Sequence, residues 1–180
     1  YNGNIDDNSF VLEMWIKPEQ EQRNCMPFVI GKFIGNFGRD CVKPQGDLAG
    51  WGLTLSSNKG SPSYRIVYNQ IIKGRLHRRK NKHFTFKTIV YAEQWNHIVL
   101  IKKDKRLTAI INGIEQAVIN NLPPIIQHKS NTIHFGNFVA STVHSYQGQM
   151  DEIRFSKTAA PIEEVIKMYK KRLKAHKDTQ

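Results

Sequence analysis

Residues 95–117 read WNHIVLIKKDKRLTAIINGIEQA. An apolar run of strand length (98–101) is followed by a charged tetrad, Lys103, Asp104, Lys105 and Arg106, and then by a second run (107–111). Asn112 and Gly113 come next, the dipeptide that suits a type I′ turn because both of its central positions need positive φ. A third strand is expected to follow over 114–119. This meander sets the period of the chain: strands of about six residues separated by tight turns.

The same period holds outward from the meander. In residues 10–17, Phe10, Leu12, Met14 and Ile16 fall on one face and Val11, Glu13, Trp15 and Lys17 on the other. Pro18 ends the run, since proline cannot donate to a ladder. Further strands are expected over 28–34, 51–56, 64–72, 84–90, 95–102, 132–138 and 147–155, which makes ten in all. Residues 35–50 are rich in Gly, Asp and Lys and read as a loop. Residues 57–63, with Gly60 and Pro62, read as a turn. Only the last segment has helical periodicity: Ile162, Val165, Ile166, Tyr169 and Leu173 share one face of a helix over 161–174. Pro161 suits its first position. Glu163 and Glu164 in the first turn and Lys170, Lys171 and Arg172 in the last match the helix dipole. Many short strands and one late helix predict an all-β sandwich or barrel.

The chain has 180 residues, of which 39% are hydrophobic and 23% charged, a globular rather than disordered composition. The length fits one domain over 1–180, with a sandwich over 9–160 and a tail over 175–180. No apolar run approaches the ~20 residues that cross a bilayer as a helix. Tyr1 to Ser9 is polar and offers no apolar signal region. Cys25 and Cys41 stand apart from any zinc-type spacing and can be a disulfide or two free thiols.

The net charge is +12, and it is concentrated. Residues 73–87 hold seven basic residues and no acid, and residues 167–178 hold six against one. The rest of the chain is balanced. Clustered charge of one sign implies an anionic partner, or simply a solvated loop and helix end. The sequence GRLHRRKNK (74–82) has no apolar periodicity and reads as a protruding basic loop or hairpin tip. Arginine's planar fork binds sulfate, phosphate or carboxylate in bidentate fashion. The candidate ligand-binding residues are therefore Lys73, Arg75, His77, Arg78, Arg79, Lys80 and Lys82. His77 and His83 add charge in acid. Aromatic residues are not interleaved here, which disfavours a nucleic-acid platform. Trp51, after the Gly-rich stretch, is the best exposed candidate for stacking on a sugar ring. Trp95 is expected in the core. Trp15 is expected on an outer face or, if a loop covers that face, in a second small core.

Several segments in this order resemble the laminin G-like branch of the concanavalin A-like lectin/glucanase superfamily. They are FVLEMWIKP (10–18), FVIGKF (28–33), WGLTLS (51–56), the meander at 95–117 and YQGQMDEIRFSKTAAPIEEVIKMY (146–169). A similar order of segments occurs in the receptor-binding region of clostridial neurotoxins. The resemblance implies an antiparallel two-sheet jelly roll with one short C-terminal helix. It implies a module of a larger or processed protein, extracellular or surface-exposed, that binds glycans or proteins. His97 is then a structural residue of the central hairpin.

The family's glucanases place paired carboxylates at alternate positions of one strand. Here Asp151 and Glu152 are adjacent, and adjacent strand positions face opposite ways, so no enzyme is expected. The resemblance requires no cofactor, and a structural calcium is the one candidate. Its acids would be Asp6, Asp7, Asp40, Asp47 and Asp151, too scattered for a dense calcium loop. Asp151 is preferred as a residue fixing the strand-to-helix corner. Family members usually carry a strand pair before the 10–18 segment. An exposed sheet edge is therefore expected there, left by trimming, filled by residues 2–8, or covered by a neighbouring subunit. The expected function is a non-catalytic binding or adhesion module for an anionic glycan or acidic protein surface. The alternative is a structural component of a surface, viral or appendage assembly.

Overall fold

The alternation in β1 (Ser9–Pro18) becomes a division between two cores. The computed structural model describes residues 9–22, 26–37, 44–57, 61–73, 79–116, 118–126, 132–137, 144–157 and 161–178. After β1 come β2 (Phe28–Phe37), β3 (Pro44–Ser57), β4 (Ser63–Lys73), β5 (Arg79–Tyr91), β6 (Asn96–Lys103) and β7 (Arg106–Ile111). The chain closes with β8 (Ile114–Glu115), β9 (His134–Phe135), β10 (Gly148–Ser156) and α1 (Ile162–Asp178). Two five-stranded antiparallel sheets result, ordered β10-β1-β6-β7-β8 and β5-β4-β3-β2-β9. They pack face to face as a jelly-roll sandwich with one C-terminal helix.

The main core lies between the sheets. Phe10, Leu12, Met14 and Ile16 of β1 meet Trp51, Leu53 and Leu55 of β3 and Tyr64, Ile66 and Tyr68 of β4. The opposite face of β1 is covered by α1, so Trp15 is fully buried outside the main core. Its ring stacks on Tyr169 at 5.8 Å and tilts against His97 at 4.8 Å. Val99, Ile110 and Val165 form the apolar part of this second, smaller core. Of the two settings expected for Trp15, the structure takes the covered one, and the cover is a helix.

Asn112 and Gly113 have φ values of 51° and 73°, as the type I′ turn requires. A Cβ on Gly113 would also lie 2.6 Å from the Tyr169 ring, so this glycine admits both the turn and the helix. Asn112 and Asn96 link the turn to the start of β6: the His97 amide donates to Asn112 Oδ1 at 2.9 Å, and Asn112 Nδ2 donates to Asn96 Oδ1 at 3.1 Å.

Several expectations change. Of the stretch 35–50, residues 35–37 and 44–50 are strand rather than loop: β2 and β3 run into it and pair as far as Phe37 opposite Pro44. Strand-forming backbone pairing overrides its glycine-rich composition. β1 is not an edge, because β10 and β6 flank it on both sides. Residues 2–8 lie outside the described residues. Trp95 precedes β6 and is only half-buried, not core. β8 has two residues, and Ile119 returns to Leu107 through one isolated bridge. The helix continues to Asp178, past the expected end at 174. Cys25 and Cys41 lie outside the described residues. Among the described residues, no helix is long and apolar enough to cross a membrane.

Candidate functional site

β4 and β5 form a long antiparallel ribbon at the margin of the second sheet. Its register sets Ser63 opposite Tyr91 at one end and Lys73 opposite Arg79 at the other. The basic residues picked out in the sequence gather at the second end. Lys73 closes β4, Arg79 opens β5, and Lys80 stands opposite Ile72. Lys82 pairs with Gln70 and is exposed, with Nζ 5.3 Å from the centre of the Phe84 ring, within cation–π range. His83 pairs with Asn69 and is also exposed. Arg75, His77 and Arg78 lie outside the described residues. The basic stretch is thus partly strand: β5 begins at Arg79, five residues before the expected start, and only 74–78 remain between the paired ends.

The other end of the ribbon carries a shallow depression that sequence reading did not single out. Ser56, Arg65 and Ile89 form one row across β3, β4 and β5. Thr85 pairs with Val67 in the neighbouring row, across an irregularity that gives β5 two extra residues. With Ser61 from the turn before β4 and Ser63 at its start, these side chains line a depression of about 200 Å³. Ser61 Oγ and Ser63 Oγ are hydrogen-bonded at 2.6 Å. Ile89 is 38% exposed, and Arg65 is exposed. The site was not visible in the sequence because its members come from three strands and a turn, and only the register brings them together. Alternation held half of the signal: Leu53 and Leu55 point into the core, so Ser56 points out.

Trp51 does not serve as an exposed platform. It is fully buried, stacked on Phe10 at 4.3 Å and near Tyr68 at 6.4 Å. The reason is the length of β3. Trp51 lies in the middle of a 14-residue strand and shares parity with the core residues Leu53 and Leu55, rather than following a loop.

The face of the first sheet beneath α1 holds the densest polar cluster. His97 Nε2 donates to Glu13 Oε1 at 3.0 Å; an ionised carboxylate only accepts, so Nε2 carries the proton. Arg172 Nη1 lies 2.9 Å from Glu13 Oε1 and 3.0 Å from Glu152 Oε2. Arg154 reaches Glu152 at 3.4 Å. The His97 hydrogen bond, opposed by burial and aided by the His97, Arg172 and Arg154 charges, holds the Glu13 carboxyl below its ordinary pKa. Glu152 joins this cluster because it sits at a bulge in β10 with φ 48°. Asp151 is exposed and accepts from the Glu152 amide at 2.7 Å, a local turn bond.

Of the other calcium candidates, Asp6, Asp7 and Asp40 lie outside the described residues, and Asp47 is described only as a backbone position in β3. Among the described residues, no group of three or more His, Cys, Asp and Glu side chains is placed to hold a metal. The two basic segments belong to different layers: α1 covers the first sheet, and the ribbon lies in the second.

The sandwich and its segment order agree with a sequence comparison. A family model described as concanavalin A-like lectin/glucanases superfamily matches residues 1–166. The chain belongs to this superfamily. No curated protein matches its sequence. Among solved structures, this superfamily member resembles a putative carbohydrate binding protein from Bacteroides ovatus, with a TM-score of 0.60 at 13% identity over 91% of this chain and 41% of that one. It resembles the binding domain of botulinum neurotoxin serotype G, with a TM-score of 0.58 at 16% identity over 92% of this chain. The match takes up 36% of that binding-domain chain, so the sequence spans about a third of it. It also resembles domain 4 of an extracellular arabinanase from Geobacillus stearothermophilus, solved in complex with arabinotriose, with a TM-score of 0.52 at 16% identity over 90% of this chain and 66% of that one. At these identities the likeness is one of fold.

Proposed function

We propose that this domain is a non-catalytic binding module that docks an anionic glycan along the β4–β5 ribbon. It would be displayed outside the cell or on a surface as part of a larger protein. The observation that carries the reading is the ribbon's charge: seven basic residues and no acid between 73 and 87, on strands that stay paired out to Lys73 and Arg79. Exposed Lys82 places part of that charge on β5. A sulfated or uronic polysaccharide matches this linear array, since arginine forks take sulfate and carboxylate oxygens pairwise. One structural neighbour is a putative carbohydrate binding protein and another was solved in complex with arabinotriose, which supports the glycan class.

The carboxylates also favour binding over catalysis. A retaining glycosidase needs two carboxyl groups about 5 Å apart and open to the substrate. Glu13 and Glu152 are one pair that the fold brings together, and both are occupied by Arg172 of α1.

The test is binding to an array of sulfated and uronic glycans at about 0.15 M salt, where weak surface attraction is screened. Selective binding is expected, and it should be lost when Arg75, Arg78, Arg79 and Lys80 are all changed to Ala. Unchanged binding by that variant overturns the role of the ribbon. A second reading, a subunit of a larger assembly, is favoured by the exposed Ile89 and Tyr91 on β5, at 38% and 51%. Light scattering that shows a stable oligomer, together with no glycan binding, would move the assignment there.

A further inference from the structure

Arg65 differs from the arginines at the other face of the molecule. Arg154 and Arg172 are both paired with carboxylates. Arg65 makes no ion pair and no hydrogen bond among the described residues. Its exposed guanidinium borders the depression at the end of the ribbon away from the basic tip. An unpaired guanidinium is a bidentate site for a carboxylate or sulfate. Around it stand the hydroxyls of Ser56, Ser61, Ser63 and Thr85, each able to donate and to accept. Such groups match the hydroxyls of a sugar, which also both donate and accept. The Ser61–Ser63 contact orients one pair of these hydroxyls before any ligand arrives. Ile89 adds exposed apolar surface beside the polar groups, suited to the C–H face of a pyranose.

Size narrows the ligand further. The depression measures about 200 Å³, below the roughly 300–1,000 Å³ of pockets that hold drug-sized molecules. It has room for one ring, not for an oligosaccharide. Position narrows it as well. Arg65 and Asn69, the partner of exposed His83, share one face of β4 four residues apart, or roughly 14 Å by strand rise. A chain seated at Arg65 can therefore run along the ribbon to the basic end.

We propose that the depression formed by Ser56, Ser61, Ser63, Arg65, Thr85 and Ile89 is a monosaccharide subsite that takes a uronate or sulfated ring through Arg65. The proposal rests on the glycan reading above and gives it a division of labour. The basic end attracts any polyanion, and the subsite selects one sugar.

The experiment is two-dimensional NMR titration of the full chain with three small probes: free glucuronate, N-acetylglucosamine 6-sulfate and neutral glucose. Inorganic sulfate is the control. The anionic sugars are expected to shift the amides of Ser56, Ser63, Arg65 and Thr85, and glucose to bind at least about tenfold more weakly. Which of the two anionic sugars binds tighter distinguishes a carboxylate subsite from a sulfate subsite. Arg65→Ala should weaken the preferred sugar by at least about tenfold, with Arg65→Lys in between. Thr85→Val removes a hydroxyl at constant shape and should weaken it less.

The fourfold Ala variant at Arg75, Arg78, Arg79 and Lys80 should bind the monosaccharide as the parent does. Shifts that map elsewhere, no shifts at all, or an Arg65→Ala variant of undiminished affinity overturn the subsite. Inorganic sulfate bound as tightly as the sugars reduces it to an anion site and overturns the sugar assignment. The two readings fail separately. If polysaccharide binding depends on the basic end and ignores Arg65, the subsite falls and the module stands. If the monosaccharide binds through Arg65 while no polysaccharide binds, the ribbon reading falls instead.

Discussion

On the outer face of the first sheet Arg172 touches two carboxylates, whereas on the outer face of the second Arg65 touches none among the described residues. The same side chain is structural in one place and available in the other. What differs is the cover. α1 closes the first face, buries Trp15 completely and leaves Glu13, His97 and Arg172 to satisfy one another. Among the described residues nothing covers the second sheet at the Arg65 end of its β4–β5 ribbon, where Ser56, Thr85 and Ile89 line a depression beside a cation that has no ion pair there. Composition alone does not separate the two regions, since each mixes arginine, hydroxyl or carboxyl groups and an apolar neighbour. Partnering does, and partnering is set by which layer lies above.

The contrast can be broken most sharply at Trp15. Trp15→Ala removes a fully buried ring from beneath α1 and should cost about 3–5 kcal/mol, read as a lower urea midpoint. A midpoint near that of the parent would mean that the helix does not seal this face. The next effect is smaller and depends on pH. Glu13→Gln takes a charge from between His97 and Arg172 and should cost about 1–2 kcal/mol at neutral pH.

The sign follows from the direction of the Glu13 shift. The folded carboxyl is more acidic than its ordinary value of 4.5, so its stabilisation is complete above that pH. It disappears as pH falls through the lower folded value. Urea midpoints of parent and variant should therefore converge below about pH 4.5, and parallel curves down to the acid limit would rule out this role for Glu13. The least effect is expected at the open end. Lys82→Ala and His83→Ala should leave the midpoint unchanged while weakening retention on a heparin column. A clear loss of stability there would mean that the basic end is packed rather than available.

Much of the sandwich was legible in the residues. The core parity of Phe10, Leu12, Met14 and Ile16, the Asn112 and Gly113 turn, and the apolar face of α1 all follow from local periodicity. The strands that run into 35–50 were not legible, because their pairing partners, not their own glycines, decide their conformation. Trp51 was misplaced for the same reason: its burial depends on β3 starting at Pro44. The Arg65 depression was the least legible of all. Ser56, Arg65 and Thr85 are unremarkable in sequence and meet only through the register of three strands and a bulge.

The contact between Glu13 and Arg172 joins positions 159 residues apart. During synthesis at about 5–20 residues per second, β1 would therefore emerge long before β10 and α1 exist to flank and cover it. Its core face and the Trp15 face stay without their final partners until residues 148–178 have been made. Such late, non-local closure makes for slow folding and a long window for self-association. The ribosome-bound chain is thus at its most vulnerable at its first strand, and a chaperone that holds an extended apolar segment would have its natural target in residues 10–16.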